Sequence, residues 1–496
     1  MGSYDFDLGI IGGGAAGLTV AAGSAQLGAK TLLIEREPAL GGDCLHYGCV
    51  PSKTLLHSAH VYHQMRSAHR FGLPSVDVPP VEFYRVAERI REVQAMIQEH
   101  DSVERFCGLG ARVEFGEAVF VDEHSVRVGG AVYSAGSWVV ATGTRPGAPP
   151  IPGLDSVDYL TNEQIFSLEE LPASLTILGG GPIACEMAQA FSRLGSKVTL
   201  IQRSAHILSG EDADMAEVVQ QALRDDGVSV HVGTSVREVV STGHAAEVVF
   251  TDAAGAPRSV VGEALFVALG RAPNIEGLGL EQAGVDASRR GIGVDARMRT
   301  NVKHIYAAGD VTGQHQFTHA AGYEGGIVVS NAVFHLPRKA DYTNLPRCTY
   351  TWPESASIGH NEKSAAEAGL DVDVITEDFA GNDRALAEGE TRGRIKLLLT
   401  KGRPVGVQIV GPHAGELINE WVAIQSGGVK LSTLASAVHP YPTLGEINKR
   451  VAGNYLGPKI FSDKVKKTLK LFFNYKGNAC TLGAPDAGAL AEDDDA

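Results

Sequence analysis

The residues best suited to do chemistry are two cysteines with four residues between them, in the run Gly41-Gly-Asp-Cys44-Leu-His-Tyr-Gly-Cys49-Val-Pro-Ser-Lys53. At the start of a helix this spacing lets the sulfurs meet if the turn is distorted, and the positive helix end favours a thiolate. The pair reads as an electron carrier. Zinc is the competing occupant and is disfavoured, because no second Cys or His pair with ligand spacing accompanies it. The other four cysteines are scattered. Cys107, Cys185 and Cys348 are expected to be buried small apolar side chains, and Cys480 to be a cysteine without function near the C-terminus.

A redox pair needs an electron source, and two glycine turns supply candidates. Gly12, Gly14 and Gly17 follow an apolar strand, Leu8 to Ile11, and open an alanine-rich helix, Ala15 to Gln26. The glycines permit a tight turn, close approach to a pyrophosphate and close packing of helix on strand, while the helix N-terminus offers unpaired N–H groups. Glu35, at the end of a second strand beginning at Lys30, stands where a carboxylate accepts hydrogen bonds from ribose hydroxyls. The pattern restarts mid-chain with a strand at Leu175 to Leu178, then Gly179, Gly181 and Ala184, then a strand from Lys197 to Gln202. Here the acidic position is held by Gln202, followed by Arg203. A neutral residue beside Arg accommodates a 2′-phosphate that an acid would repel, so NADPH is preferred over NADH. Two dinucleotide sites in one chain imply relay chemistry.

These elements need a large scaffold. At 496 residues the chain exceeds what one core supports, and 44% hydrophobic with 20% charged residues is the composition of a globular protein. A net charge of −15 argues against nucleic acid. No apolar run suits a membrane span and no signal peptide is evident, so the expectation is a cytoplasmic enzyme with no membrane partner. A periodic helical stretch is expected around Phe83 to Phe106, a linker at Gly147 to Pro152, and strands at Arg394 to Leu399 and Val405 to Val410 in a separate α+β domain. The acidic end, Glu492 to Asp495, reads as a solvated tail.

The Cys44–Lys53 segment, both glycine turns, Ala141-Thr-Gly-Thr-Arg145, Ala308-Gly-Asp310 and His439-Pro-Tyr-Pro-Thr-Leu-Gly-Glu446 stand in an order that resembles the class I flavoprotein disulfide reductases, in the branch of mercuric reductase and dihydrolipoamide dehydrogenase. The resemblance spans residues 5 to about 460. It implies an α/β fold with two Rossmann-like dinucleotide-binding domains and a C-terminal α+β dimerisation domain. The implied boundaries are 1–150 and 276–345 for the FAD-binding domain, 151–275 for the NAD(P)-binding domain, 346–465 for the interface domain and 466–496 for a tail. It further implies that FAD contacts Gly12, Gly14, Gly17, Glu35, Thr142 and Gly143, with Asp310 on the ribityl chain. The nicotinamide nucleotide would contact Gly179, Gly181, Ala184, Arg203 and Gly270. Cys49 would lie against the flavin and Cys44 would meet the substrate, with Lys53 and Glu186 paired nearby. The C-terminal motif would come from the other subunit of a homodimer.

The C-terminal motif departs from the disulfide-reducing members. Where they carry a catalytic His directly before Pro-Thr, this chain has Tyr441, five residues before Glu446, and His439 lies two residues earlier. Mercuric reductase is similar in having Tyr there. A phenol of pKa ~10 is about a thousandfold less available as a base at pH 7 than as a donor, whereas a His of pKa ~6.5 is ready. The expected substrate is therefore a metal ion or a thiol or disulfide compound, small or carried on a lipoyl or thiol protein. The chain lacks the vicinal C-terminal cysteine pair and the extra N-terminal metal-binding domain associated with mercuric reductase. The alternatives are a dihydrolipoamide dehydrogenase in which His439, paired with Glu446, takes the vacant role, and a flavin- or metal-binding thiol protein that does not turn over.

Overall fold

The computed structural model describes residues 4–147 and 149–477. Phe6–Ile11 is buried along nearly its whole length, as a parallel strand covered on both faces must be. It lies between Thr31–Glu35 and Ala131–Val140, and Ala111–Phe115 extends the sheet beyond Thr31–Glu35. Ala131–Val140 serves two partners in succession: residues 131–134 pair antiparallel with Ser125–Val128, and residues 135–140 run parallel to the first strand. Ile305–Ala307 returns from far along the chain to pair with Trp138–Val140.

Between these two visits the chain builds a second parallel sheet from Ser229–His231, Lys197–Ile201, Ser174–Leu178 and Ala264–Val267. Its Leu175, Ile177 and Val198 share one core with Ala184, Ala188 and Phe191 of the Pro182–Leu194 helix. The chain enters and leaves this region through an antiparallel ribbon, Thr144–Pro146 against Arg271–Pro273. From residue 347 a five-stranded antiparallel sheet takes over, in the order Arg347–Thr349, Glu354–Gly359, Arg403–Gly411, Arg394–Thr400, Asp373–Asp378. Helices Ala414–Ser426 and Glu446–Ile460 cover its core of Phe379, Leu397, Ile409 and Trp421.

Several details differ from the sequence expectations. The Phe83–Phe106 stretch is broken into helices Phe83–Gln98 and Val103–Gly108 by a 3-10 turn at Glu99–Asp101. Cys107 is exposed rather than buried, because only Phe106 of its short helix reaches the core, and Cys348 is half-buried, whereas Cys185 is buried as expected. A helix, Asp463–Phe473, occupies the start of the expected tail: Val465, Leu469 and Phe472 recur at helical spacing among its lysines. Cys480 and the acidic run Glu492 to Asp495 lie outside the described residues. No helix among the described residues is long and apolar enough to cross a membrane.

A lysine joins the second sheet's helices to the last unit. Lys396, with 3% of its side chain exposed, donates to Asp212 at 3.2 Å, Asp214 at 2.6 Å and Glu362 at 2.5 Å. The three carboxylates stand close enough to hold a cation, and the Lys396 ammonium already stands among them with its single positive charge. Removing one partner of a buried ionic cluster strands the other charge. Lys396→Met is expected to destabilise the protein by about 3 kcal/mol, the lower end of the cost for a broken buried pair because Asp214 and Glu362 are half-exposed, read as a lowered Tm in thermal unfolding.

Candidate active site

Backbone contact brings the cysteine loop onto the first nucleotide turn. Gly42 has φ +61° and lies so close to Gly14 that a Cβ on it would stand 2.7 Å from the Gly14 Cα, so only glycine fits. Cys44 follows in the helical turn Gly42–His46, and Cys49 opens the Cys49–Ser67 helix. Both cysteines are free thiols here. Cys49 Sγ lies 3.3 Å from the hydroxyl of Thr318, the first residue of the Thr318–Ala332 helix. The Cys44 thiol donates to the Cys49 sulfur, and this bond, with the Thr318 hydroxyl and the Lys53 charge adding to it, lowers Cys49 to about 6. The same bond and burial push Cys44 far up. The pair is thus polarised in one direction, with the thiolate favoured on Cys49 and the proton on Cys44.

Lys53 follows one helical turn later. Leu55 and Ala59 of its helix share a core with Ala184, Ala188 and Phe191, and this packing sets Lys53 Nζ 2.8 Å from Glu186 Oε2. Glu186 is only 2% exposed. Its other oxygen accepts the Tyr350 N–H at 2.9 Å, and the Lys53 ammonium lies 4.5 Å from the centre of the Tyr350 ring. A buried carboxylate is tolerated because both oxygens are engaged.

The two nucleotide turns are built alike. Gly12 has φ +108° and its absent Cβ would lie 2.3 Å from the Ala141 carbonyl oxygen; Gly179 has φ +119° and 2.4 Å to the Ala268 carbonyl oxygen. Gly14 and Gly181 precede their helices without a capping side chain, which leaves the first N–H groups free for phosphate. Gly17 packs so tightly that its Cβ would lie 1.8 Å from the Gly12 carbonyl oxygen, and Ala184 is fully buried in the corresponding place. Glu35 accepts the N–H groups of Gly13 at 2.5 Å and Glu37 at 2.7 Å, and each oxygen keeps a lone pair for a ribose hydroxyl. In the second turn Gln202 packs against Gly180, and the exposed Arg203 guanidinium has no ion-pair partner among the described residues. The donors and the close-packed glycines fit FAD at the first turn and a nicotinamide nucleotide at the second.

Asp310 accepts the Thr144 hydroxyl at 3.0 Å, and burial raises its carboxyl above the usual range. Arg271 donates to the same hydroxyl at 2.7 Å and reaches Asp43, next to Cys44, at 3.1 Å. Thr142 and Gly143 are held by Asn274: the Thr142 hydroxyl donates to its carbonyl at 2.7 Å, and its N–H donates to the Gly143 carbonyl at 3.0 Å. Gly270 has φ +119° and accepts the Gly147 N–H at 2.9 Å, closing the ribbon.

The C-terminal motif lies apart from this cluster within one chain. Tyr441 is 71% exposed and donates to Asp383 at 2.8 Å, which together with the nearby Glu446 charge raises its phenol further. His439 is not paired with Glu446. Its Nε2 lies 3.0 Å from Glu420, while Glu446 turns back to accept the Thr443 N–H at 3.4 Å. Glu420 is accessible to His439 because the Ala414–Ser426 helix runs beside it, a long-range proximity that motif spacing does not encode. Thr318, Tyr350 and Arg271 were not anticipated as site residues. Each reaches its partner across more than a hundred residues of chain, and only Arg271, directly after Gly270, carried a local signal.

Residues 6–325 match the family described as pyridine nucleotide-disulphide oxidoreductase, and residues 345–452 match the dimerisation domain of the same family. The chain is 36% identical over 454 residues to a dihydrolipoyl dehydrogenase of Bacillus subtilis, covering 88% of this chain and 96% of the relative. It is 34% identical over 452 residues to a mercuric reductase of Bacillus cereus, covering 90% and 70%. The fold is similar to that of the HOCl-induced flavoprotein disulfide reductase RclA of Escherichia coli, with TM-score 0.81, 29% identity, and coverage of 90% and 99%; that reductase has also been solved as a Cu(II) complex.

The unequal acidities of the cysteines are directly measurable. In the reduced protein, thiolate absorbance at 240 nm is expected to disappear as pH falls through about 6, reporting Cys49, and Cys44→Ala is expected to move that midpoint up toward the ordinary thiol range. A midpoint unchanged in Cys44→Ala contradicts the assigned hydrogen bond.

Proposed function

The chain belongs to the pyridine nucleotide-disulphide oxidoreductases, and we propose that within them it is an NADPH-dependent metal-ion reductase of the mercuric reductase kind. The family's enzymes use FAD and a pyridine nucleotide, and the dimerisation domain indicates a homodimer. The finer reading rests on Tyr441, which is exposed, held by Asp383 and unsupported by a His–Glu446 pair.

A flavin, held by Gly12, Gly14, Gly17, Glu35 and Asp310, would supply two-electron transfer between a nicotinamide nucleotide at the second glycine turn and the Cys44–Cys49 pair. Lys53 and Glu186 fix the cysteine helix against the helix of the second turn. After reduction, Cys49 keeps the thiolate and Cys44 the proton, so the outer thiol is released for exchange only when it loses that proton to an incoming ligand set. A thiophilic metal ion displaces the proton itself, whereas a disulfide substrate needs a base and then an acid at its leaving sulfur. Tyr441 of the partner subunit, with its phenol raised, serves as donor or weak ligand and is a poor base. One NADPH then delivers two electrons, reducing one Hg(II) to Hg(0) or two Cu(II) to Cu(I), with release of NADP+ and one proton.

One observation favours a second reading. His439 and Glu420 form a His–carboxylate pair, the ingredients of the base that a dihydrolipoamide dehydrogenase requires. Parallel initial rates with Hg(II), Cu(II), lipoamide and glutathione disulfide separate the two. The metal-ion reading expects lipoamide and glutathione disulfide to be poor by about a thousandfold, the gap between phenol and imidazole as bases, and expects Tyr441→Phe to impair metal turnover. Efficient lipoamide turnover that survives Tyr441→Phe and collapses in His439→Ala assigns the protein to the second reading. For the nucleotide, Arg203→Ala is expected to raise KM for NADPH at least tenfold more than for NADH, the loss of one charge-assisted phosphate contact. Equal effects remove Arg203 from 2′-phosphate recognition.

A further inference from the structure

The dimerisation-domain match ends at residue 452, and the chain continues beyond it. That continuation contains the Asp463–Phe473 helix, none of whose residues is buried. Val465, Leu469, Phe472 and Phe473 share one side of it by helical spacing, and Lys464, Lys467 and Lys470 share the other with Leu471 among them, while Lys466 stands at the boundary. Phe472 is 75% exposed, and Phe461 just before the helix is exposed as well. Six lysines and one aspartate lie between residues 459 and 476, in a chain whose net charge is −15.

From this segregation of lysines and exposed aromatics we propose that the Asp463–Phe473 helix binds the protein to an anionic bilayer surface. An amphipathic helix with a lysine face and a Leu/Phe face lies in the plane of a membrane, its apolar side among the acyl chains and its ammonium groups among anionic headgroups. The helix is 11 residues, about three turns, long and is not a membrane span. A second copy of the chain is the weaker occupant. A two-fold contact between identical helices would cover the apolar side but leave the lysines opposite it without a counter-charge, whereas an anionic bilayer meets both sides. The net charge of −15 opposes contact of the rest of the chain with anionic lipid, which favours attachment through this lysine-bearing segment.

The inference stands independently of which acceptor the enzyme reduces. The test is co-flotation of the full-length, FAD-loaded protein with phosphatidylglycerol vesicles and with phosphatidylcholine vesicles. Flotation with phosphatidylglycerol at low salt is expected, with apparent affinity at least tenfold weaker for phosphatidylcholine and falling as salt screens the lysines. The double substitution L469D and F472D, and separately the triple substitution K466E, K467E and K470E, are expected to abolish flotation without changing FAD content or NADPH-dependent turnover in vesicle-free solution. Absence of wild-type flotation with phosphatidylglycerol at low salt overturns the proposal. So does a double variant that still floats but sediments as a monomer, because the face then belongs to the dimer contact.

Discussion

The 2.8 Å contact between Lys53 and Glu186 holds together parts of the molecule that must otherwise be arranged separately. Lys53 rides on the helix that begins with Cys49, and Glu186 on the helix that opens at the second nucleotide turn. Because Glu186 is buried, removing Lys53 or turning away the Tyr350 N–H would leave one of its oxygens without a partner and out of reach of water. Tyr350 follows the Arg347–Thr349 strand of the last unit, so one carboxylate registers the cysteine helix, the nucleotide helix and the last unit against each other. The packing of Leu55 and Ala59 on Ala184 and Phe191 supplies the apolar burial that makes such a register stable.

Around that register the site divides its protons unequally. Cys44 and Cys49 are chemically identical residues whose environments drive them apart: one donates into the other, and the acceptor also feels Thr318 and Lys53. The outcome is a dithiol whose negative charge is favoured on Cys49. In the proposed function electrons would arrive at Cys49 and depart at Cys44. The polarity comes from three-dimensional packing and not from the sequence spacing of the pair.

The first strand, turn and helix were legible because local signals agreed: an apolar run, glycines at fixed offsets and an acid at the end of the next strand. The pairing of Lys53 with Glu186 came from the resemblance to the disulfide reductases, since no local signal joins residues 133 positions apart. What stayed hidden was whatever depends on distant segments meeting. Thr318 has no local feature that assigns it to Cys49, and Glu420 has none that assigns it to His439 in place of Glu446. Cys107 was misjudged because isolated cysteines are usually buried, whereas its helix is too short to bury more than Phe106. The Asp463–Phe473 helix was overshadowed by its lysines, although its apolar spacing was present all along.

The ribbon of Thr144–Pro146 and Arg271–Pro273 places the entry and exit of the second parallel sheet side by side, and the first sheet still lacks Ile305–Ala307 when that ribbon closes. During synthesis, the edge at Trp138–Val140 must therefore wait while some 160 further residues emerge, roughly 10 to 30 s at 5–20 residues per second. An unpaired parallel edge is a template for the wrong strand. The intervening segment has a sheet of its own and one core, Leu178, Ile201, Val248 and Phe250, made wholly of its own residues, so it holds what it needs to begin folding within that interval. Its other core also takes in Leu55, Ala59 and Phe83 of the first unit, which ties the timing of the two units together.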